Sequence, residues 1–261
     1  MRLEYKFLVS NDDLPRLRKK MRPFLDVDPF AKDKEGNQYT VRSIYYDTSA
    51  YDFYHEKMDG IKIRKKLRIR SYNRTEKNNV VFLEIKNKYD NFIGKNRSPL
   101  EYEDLVGLLK SKQLEPYILT NNGYANSVED AEKFLHHFYK NDLKPTVLVV
   151  YDREAYFSKF DPSLRITYDK NIRYLEDPSL DLLYEDSNLE YAIPNHFVLE
   201  IKFANGYPKW LQDIVMEFNL TRRSVSKYTI CIDSSKIINP FRKKVGSTLI
   251  EDESVSQEGV F

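Results

Sequence analysis

The stretch that decides the fold runs from residue 62 to residue 100 and reads KIRKKLRIRSYNRTEKNNVVFLEIKNKYDNFIGKNRSPL. Apolar and charged residues alternate along it, as in Leu67-Arg-Ile-Arg70 and Phe82-Leu-Glu-Ile-Lys86. Such alternation is typical of strands with one buried face, because successive side chains point to opposite faces. The pattern predicts three consecutive strands joined by polar turns, at Lys62–Tyr72, Val80–Lys88 and Phe92–Leu100.

The charged faces of these strands carry mainly arginine and lysine. Arg68 and Arg70 share one face of the first strand, and Glu84 and Lys86 share one face of the second. A flat sheet with one face in water would explain a single strand of this kind. For the whole set we favour a closed antiparallel barrel, whose charged face becomes a lumen and whose apolar face meets helices. Confined cations repel one another unless anions fill the lumen, and phosphates suit arginine and lysine best.

Further strands and helices are predicted along the rest of the chain. The strands are Arg2–Val9, Tyr39–Tyr46, Thr146–Phe157, Leu164–Tyr168 and His196–Ala204. The helices are Asp47–Met58, Leu100–Leu109, Ser127–Tyr139 and Pro208–Phe218, with a further strand or helix start near residues 226–232. The expected fold is α+β, a closed antiparallel tunnel with a basic lumen, surrounded by helices. We expect one domain over residues 1–240 and a polar, flexible tail over residues 241–261.

A repeated pair of strand motifs, which we call the echo, indicates that the barrel has two similar halves. Leu67-Arg-Ile-Arg70 is followed by Phe82-Leu-Glu-Ile-Lys86, and later Leu164-Arg-Ile-Thr167 is followed by Val198-Leu-Glu-Ile-Lys202. Each half would supply one pair of similar strands, and the two pairs together would build a barrel with approximate two-fold symmetry.

Composition narrows the classes of function. The chain has 42 basic and 40 acidic residues, and its net charge of +2 disfavours a general nucleic-acid binder while still allowing a local basic site. The single cysteine, Cys231, excludes an internal disulfide framework and a cysteine-rich zinc site. The sequence shows no signal-peptide core and no apolar run of roughly 20 residues. A cytoplasmic protein without a membrane segment is therefore predicted.

Taken in order, the charged segments resemble the VTC domain, the catalytic domain of the vacuolar transporter chaperone polyphosphate polymerases. That domain is a member of the triphosphate tunnel metalloenzyme superfamily. The resemblance covers about residues 2–235 and rests on Tyr5-Lys-Phe7, Ser43-Ile-Tyr-Tyr-Asp-Thr48, Leu67-Arg-Ile-Arg-Ser-Tyr72, Phe82-Leu-Glu-Ile-Lys86, Gly94-Lys-Asn-Arg97, Leu164-Arg-Ile-Thr167, Val198-Leu-Glu-Ile-Lys202 and Ser224-Val-Ser-Lys-Tyr228. It implies a closed tunnel that binds ATP and a growing polyphosphate chain, with Mn²⁺ or Mg²⁺ as cofactor.

The resemblance also implies roles for twelve residues. The implied catalytic set is Arg68, Arg70, Lys86, Arg165 and Lys227. The implied phosphate-binding set is Lys6, Lys95, Arg97, Arg153, Lys202 and Ser226. Glu200 is the implied metal ligand, since carboxylate oxygens suit a hard divalent cation that bridges phosphates.

The sequence departs in two places from the pattern of the VTC domain and its superfamily. Ser224 stands where fungal members can carry a further lysine. Arg2-Leu-Glu-Tyr-Lys6 keeps only one glutamate of the superfamily's Glu-x-Glu-x-Lys signature, which disfavours simple triphosphatase or cyclase chemistry.

The expected activity is transfer of the terminal phosphoryl group of ATP to a polyphosphate chain. The acceptor is a phosphate oxygen that is already ionised near neutral pH, so no general base is required. Two alternatives stay open: a metal-dependent hydrolase of tripolyphosphate or polyphosphate, and a polyphosphate-binding module without turnover. No nucleic-acid partner is expected, and a membrane partner protein that exports the product stays open.

Overall fold

The computed structural model describes residues 3–32, 34–73, 79–89, 92–111, 113–120 and 123–238. Within these ranges ten strands form one sheet: β1 Leu3–Ser10, β2 Leu25–Val27, β3 Gln38–Asp47, β4 Ile63–Tyr72, β5 Val80–Tyr89, β6 Phe92–Glu101, β7 Lys144–Ser158, β8 Arg165–Glu176, β9 Glu190–Tyr191 and β10 His196–Phe203. The α-helices in the same ranges are α1 Leu14–Met21, α2 Asp52–Met58, α3 Leu105–Ser111, α4 Ser127–Lys140, α5 Lys209–Glu217 and α6 Lys227–Ser234.

The order of strands is symmetric about the centre of the sheet. It runs β1-β10-β8-β7-β3-β4-β5-β6, with β2 on β7 and β9 on β8, and every pairing is antiparallel. The two members of the sequence echo occupy matching places, because β4 pairs with β5 in one half and β8 pairs with β10 in the other. The predicted antiparallel α+β class is confirmed.

Closure of the sheet into a barrel is not seen in the described residues. No backbone pairing joins β6 to β1 there, so the path of strands has two ends and the closed barrel stays a prediction. The sheet nevertheless curls until its two ends approach each other. Lys86 Nζ on β5 lies 3.5 Å from a carboxylate oxygen of Glu4 on β1. Side-chain ion pairs therefore span the space between the two ends.

Helices cover the apolar, outward face of the curled sheet. Leu67 and Ile69 of β4 are fully buried in one cluster with residues of α3 and α4. Leu17 of α1 and Leu211 of α5 are fully buried in a second cluster against β1, β8 and β10. α6 lies instead on the inner side, where Tyr228 stacks on Tyr45 of β3 with the ring centroids 5.2 Å apart. There α6 covers an apolar part of the inner face that includes Val41, Val147 and Val149, and polar and aromatic side chains line the rest.

Two predicted helices begin later than the sequence pattern indicated. α2 begins at Asp52 because Asp47 ends β3, where its buried carboxylate accepts hydrogen bonds from the backbone amides of Phe53 and Tyr54. α3 begins at Leu105 because Leu100 and Glu101 still pair with β5. The strand predicted to end at Tyr168 continues to Glu176.

None of the helices in the described residues is both long enough and apolar enough to cross a membrane. The polar tail predicted at residues 241–261 lies outside the described residues. The single domain over residues 1–240 stays a prediction.

Candidate active site: a basic channel

The concave face of the sheet encloses two adjoining cavities of about 710 Å³ and 400 Å³. Six residues line both cavities: Glu4, Arg68, Arg70, Lys86, Arg153 and Lys202. Because they share these six residues, the two cavities lie side by side, and we call the two together the channel. All twelve residues for which the sequence implied a role line it.

The channel concentrates positive charge that the composition hides. Its walls carry sixteen lysines and arginines against three glutamates, an excess of thirteen positive charges. The whole chain carries +2, so the residues outside the channel wall carry a net −11. The near-zero net charge therefore results from a basic interior and an acidic remainder.

Glu84 is the centre of the first cluster of charges in the channel. Its side chain is 1% exposed. Arg68 lies 2.6 Å from one carboxylate oxygen, Lys95 and Arg97 lie 2.7 and 3.1 Å from the other, and Arg70 lies 3.8 Å away. Burial opposes the charged carboxylate, but the four cations outweigh burial and hold the pKa of Glu84 well below its usual range. A permanently ionised Glu84 thus gathers four predicted site residues at one place.

Glu200 is the centre of a second, equivalent cluster. The sequence echo places Glu200 at the position that Glu84 holds in the first half, and it too is buried. It pairs with Lys202 and lies 3.9 Å from Lys6, while both lysines also reach Glu4, at 3.3 and 3.7 Å. Burial again opposes the charge, yet Lys202 and Lys6 hold the pKa of Glu200 well below its usual range.

Arg153 and Lys227 are fixed from behind by a fully buried carboxylate. Arg153 donates two hydrogen bonds, of 2.6 and 2.8 Å, to Asp169, and Lys227 contacts the same carboxylate at 2.5 Å. Lys227 is the first residue of α6, and the preceding Ser226 caps the helix by accepting a hydrogen bond from the amide of Thr229. Asp169 therefore anchors α6 to the sheet and brings the predicted Ser-Lys pair to the channel.

The surroundings of three channel lysines lower their pKa values. Burial, assisted by neighbouring cations such as Lys6 and Lys86, lowers the pKa of Lys66 well below its ordinary value. Burial likewise lowers the pKa of Lys86 and of Lys95 to about 8. An entering anion would reduce this penalty because it brings further negative charge to the lysines. The channel is therefore electrostatically prepared for a polyanion.

Arg165 lines the larger cavity but is not one of the cations that contact Glu84. It donates a 2.8 Å hydrogen bond to the buried Asp28 and a 3.3 Å hydrogen bond to the hydroxyl of Tyr39. The structure thus places the implied catalytic Arg165 in the wall of the channel, in a different group from Arg68 and Arg70.

The carboxylates of the channel fit a divalent cation that takes most of its ligands from the phosphate oxygens of a substrate. The described residues contain no group of three or more histidine, cysteine or acidic side chains that could hold a metal ion. Glu4 and Glu200 do lie together, joined through Lys6 and Lys202. Two carboxylates combined with phosphate oxygens are the usual environment of Mg²⁺ at phosphate sites. Glu200 as the metal ligand stays a prediction, and Glu4 is a second carboxylate that shares its two lysines.

Several wall residues were missed at the level of sequence. Lys66 shares its strand face with Arg68 and Arg70, so the same alternation could have identified it. Glu84 could have been found from its match to Glu200 in the echo. Arg222 and Arg223 follow no strand or helix pattern, and no sequence signal points to them. They reach the channel because Arg222 bridges to Phe7 of β1.

The chain belongs to the VTC domain family, whose model it matches over residues 1–236, and the resemblance seen in the sequence is confirmed. It is 26% identical over 251 residues to vacuolar transporter chaperone complex subunit 4 of Trypanosoma brucei brucei, and the aligned region covers 82% of this chain and 32% of that protein. It is 24% identical over 286 residues to the protein of the same name from Trypanosoma cruzi, which covers 94% of this chain and 35% of that protein. The chain thus spans about a third of the length of the curated relatives it matches.

Two solved structures show a weaker likeness. A candidate adenylate cyclase from Bacillus halodurans shares 15% identity at a TM-score of 0.49, over 87% of this chain and 94% of that one. A candidate adenylyl cyclase from Hippeastrum with a dominant triphosphatase activity shares 13% identity at a TM-score of 0.47, over 89% and 96%. Both scores lie below 0.5, so the description of the fold rests on this chain's own structure.

Proposed function

We propose that this chain transfers the terminal phosphoryl group of ATP to a polyphosphate chain inside the channel. The observation that carries the proposal is the excess of thirteen positive charges in a channel enclosed by one sheet. A long linear polyanion matches that charge along its whole length. Membership of the VTC domain family supports the same substrate class.

The clustered cations would hold the phosphates in line. Arg68, Arg70 and Arg97 present guanidinium groups, which grip phosphate oxygens through paired hydrogen bonds. Phosphoryl transfer depends mainly on alignment and charge neutralisation, and the acceptor oxygen is already ionised.

Glu4 and Glu200 would hold Mn²⁺ or Mg²⁺ together with the phosphate oxygens. When bound, such a cation neutralises charge on the reacting phosphates. In the ligand-free protein Lys6 and Lys202 each contact both carboxylates. Because the metal ion would take their place there, the two lysines would turn toward the phosphates of the substrate. The carboxylates would thereby exchange one set of cations for another as substrate enters.

We infer further that the chain works with partner proteins. Its curated relatives are named as subunits of a vacuolar transporter chaperone complex. ATP and polyphosphate are the proposed small partners, and the cytoplasmic location predicted from the sequence stays a prediction.

Incubation of the purified chain with ATP and Mn²⁺ tests the proposed activity. The assay resolves ADP, free phosphate and long polyphosphate separately. ADP together with polyphosphate is the expected result. Free phosphate with no polymer would replace the proposal by hydrolysis, and binding of polyphosphate without turnover would replace it by a binding module.

Glu200→Gln tests the assignment of the metal ligand. We expect metal-dependent turnover to fall on the order of 100-fold or more, while tripolyphosphate still binds. Glu217→Gln is the matched control, because Glu217 forms an exposed ion pair with Lys20 on the outside of the protein. Full turnover in Glu200→Gln would show that Glu200 has no role in holding the metal.

A further inference from the structure

One half of the channel carries an arc of aromatic side chains. Five such residues line the larger cavity and none of them lines the smaller one: Phe30, Tyr39, Tyr72, Phe82 and Tyr124. Successive ring centroids along the arc lie 4.9 to 6.0 Å apart, from Phe30 through Tyr39 and Tyr72 to Phe82 and Tyr124. We call these five residues the aromatic rim.

The aromatic rim adjoins the Glu84 cluster through Arg97. The guanidinium carbon of Arg97 lies 3.5 Å from the centroid of Phe82. Its terminal nitrogens donate hydrogen bonds to the hydroxyls of Tyr124 and Tyr72, at 3.0 and 3.1 Å. Arg97 also lies 3.1 Å from Glu84. A phosphate held by Arg97 would thus lie next to rings on one side and next to the clustered cations on the other.

Packing alone does not account for Phe30. Its side chain is 51% exposed, although it stands at the edge of a cavity with four other aromatic residues. The ammonium group of Lys34 lies 3.6 Å from its centroid. The flexible side chain of Lys34 can be displaced by the ring of a ligand, or that ring can stack on the opposite face of Phe30. The rim therefore offers an exposed aromatic ring at the cavity.

The other half of the channel differs in kind. Eight cations line that half alone: Lys6, Lys57, Arg64, Lys66, Lys88, Arg222, Arg223 and Lys227. Its two aromatic residues, Tyr45 and Tyr151, are buried, and their hydroxyls accept hydrogen bonds from Arg68 and Arg70. A ligand with a ring at one end and a long anion at the other would fit the channel in one direction only.

We propose that the aromatic rim is the subsite for the base of a nucleoside triphosphate, whose phosphates extend onto Arg97, Arg68 and Arg70. This inference rests on the proposed function and adds the place and the manner in which the nucleoside is held. Stacking on aromatic rings recognises the flat face of a base and not its edge. The rim therefore accepts several nucleobases, and the chain of phosphates leaves through the half with the eight additional cations.

Calorimetric titrations of the full chain with ATP, GTP and tripolyphosphate test the subsite. Phe30→Leu keeps an apolar side chain but removes the ring, and we expect it to weaken ATP and GTP binding about 5- to 100-fold. Tripolyphosphate binding is expected to stay within about twofold, because it has no base. Phe30→Tyr, which keeps a ring, should restore nucleotide binding. Phe160→Leu, a change at a 74% exposed ring, is the matched control.

Two results would overturn the subsite. An equal loss for ATP and tripolyphosphate would show that Phe30 shapes the phosphate site instead. Unchanged ATP binding in Phe30→Leu, with tripolyphosphate still bound by the unaltered chain, would refute the rim and leave the proposed function standing. Failure of the unaltered chain to bind tripolyphosphate would refute both.

Discussion

Glu84→Gln should destabilise the ligand-free protein strongly. The substitution keeps the shape of the side chain but removes the one negative charge among Arg68, Lys95 and Arg97, which lie 2.6 to 3.1 Å from it. At an effective dielectric constant of about 20, one such contact is worth roughly 5–6 kcal/mol before desolvation is subtracted. Breaking a buried ion pair costs about 3–5 kcal/mol net, because the guanidinium groups of Arg68 and Arg97 stay largely buried after their carboxylate is removed.

Thermal unfolding measures this loss. For a chain of this size, about 3–5 kcal/mol corresponds to a fall of roughly 6–20 °C in Tm. Saturating tripolyphosphate should raise the Tm of the variant by more than that of the unaltered protein, since the anion replaces the missing charge and meets no competing carboxylate. Glu217→Gln, at an exposed pair, should stay within about 1 kcal/mol of the unaltered protein.

The pH dependence gives a second check on Glu84. Its folded pKa is depressed, so its stabilisation is present above the ordinary carboxyl pKa and is lost only as the pH falls through the folded value. The titration of Glu84 itself therefore leaves the difference in unfolding free energy between the two proteins unchanged near pH 6. The difference should shrink toward pH 8, because Glu84 helps to hold up the pKa of Lys95, and this lysine loses its proton more readily in the variant. A Tm within about 2 °C of the unaltered protein near pH 6 would refute the role given to Glu84.

Three further outcomes follow from the structure. Lys86 and Lys95, with pKa values lowered by burial to about 8, should take up protons when an anion binds. Tripolyphosphate affinity should then fall from pH 7 to pH 9, and calorimetry in two buffers of different ionisation enthalpy should detect proton uptake. Tyr228→Phe removes the hydroxyl that donates to buried Asp47, and should cost about 1–3 kcal/mol in chemical denaturation. Lys209→Ala, which removes an exposed ion pair, should change stability by less than about 1 kcal/mol.

The local pattern of the sequence is enough to predict which side chains of the strands face the channel. Arg68, Arg70 and Lys86 lie on one face of neighbouring strands, as alternation predicts, because the side-chain period of a strand is two. The starts of helices are harder to predict from the sequence, because they depend on contacts between residues that are distant along the chain. Asp47 reads as the beginning of a helix, yet its carboxylate accepts a hydrogen bond from Tyr228, 181 residues away.

Pairing partners inside the site could not be read from the sequence. Alternation places Glu84 on the charged face but does not show that four cations converge on it. Asp169 lies just beyond the strand predicted to end at Tyr168, and its fully buried contact with Arg153 and Lys227 depends on where α6 docks. Such contacts are set by the curl of the sheet, which the strand pattern leaves open.

The separation of charge between channel and exterior has a consequence for how a long polyanion arrives. The residues outside the channel wall carry a net −11, and part of this charge lies on buried carboxylates such as Asp28, Asp47 and Asp169. On the proposed function, a polyanion is therefore attracted to the channel wall and not to the rest of the chain. Salt screens this attraction beyond about 8 Å under physiological conditions, so capture of polyphosphate should slow as the ionic strength rises.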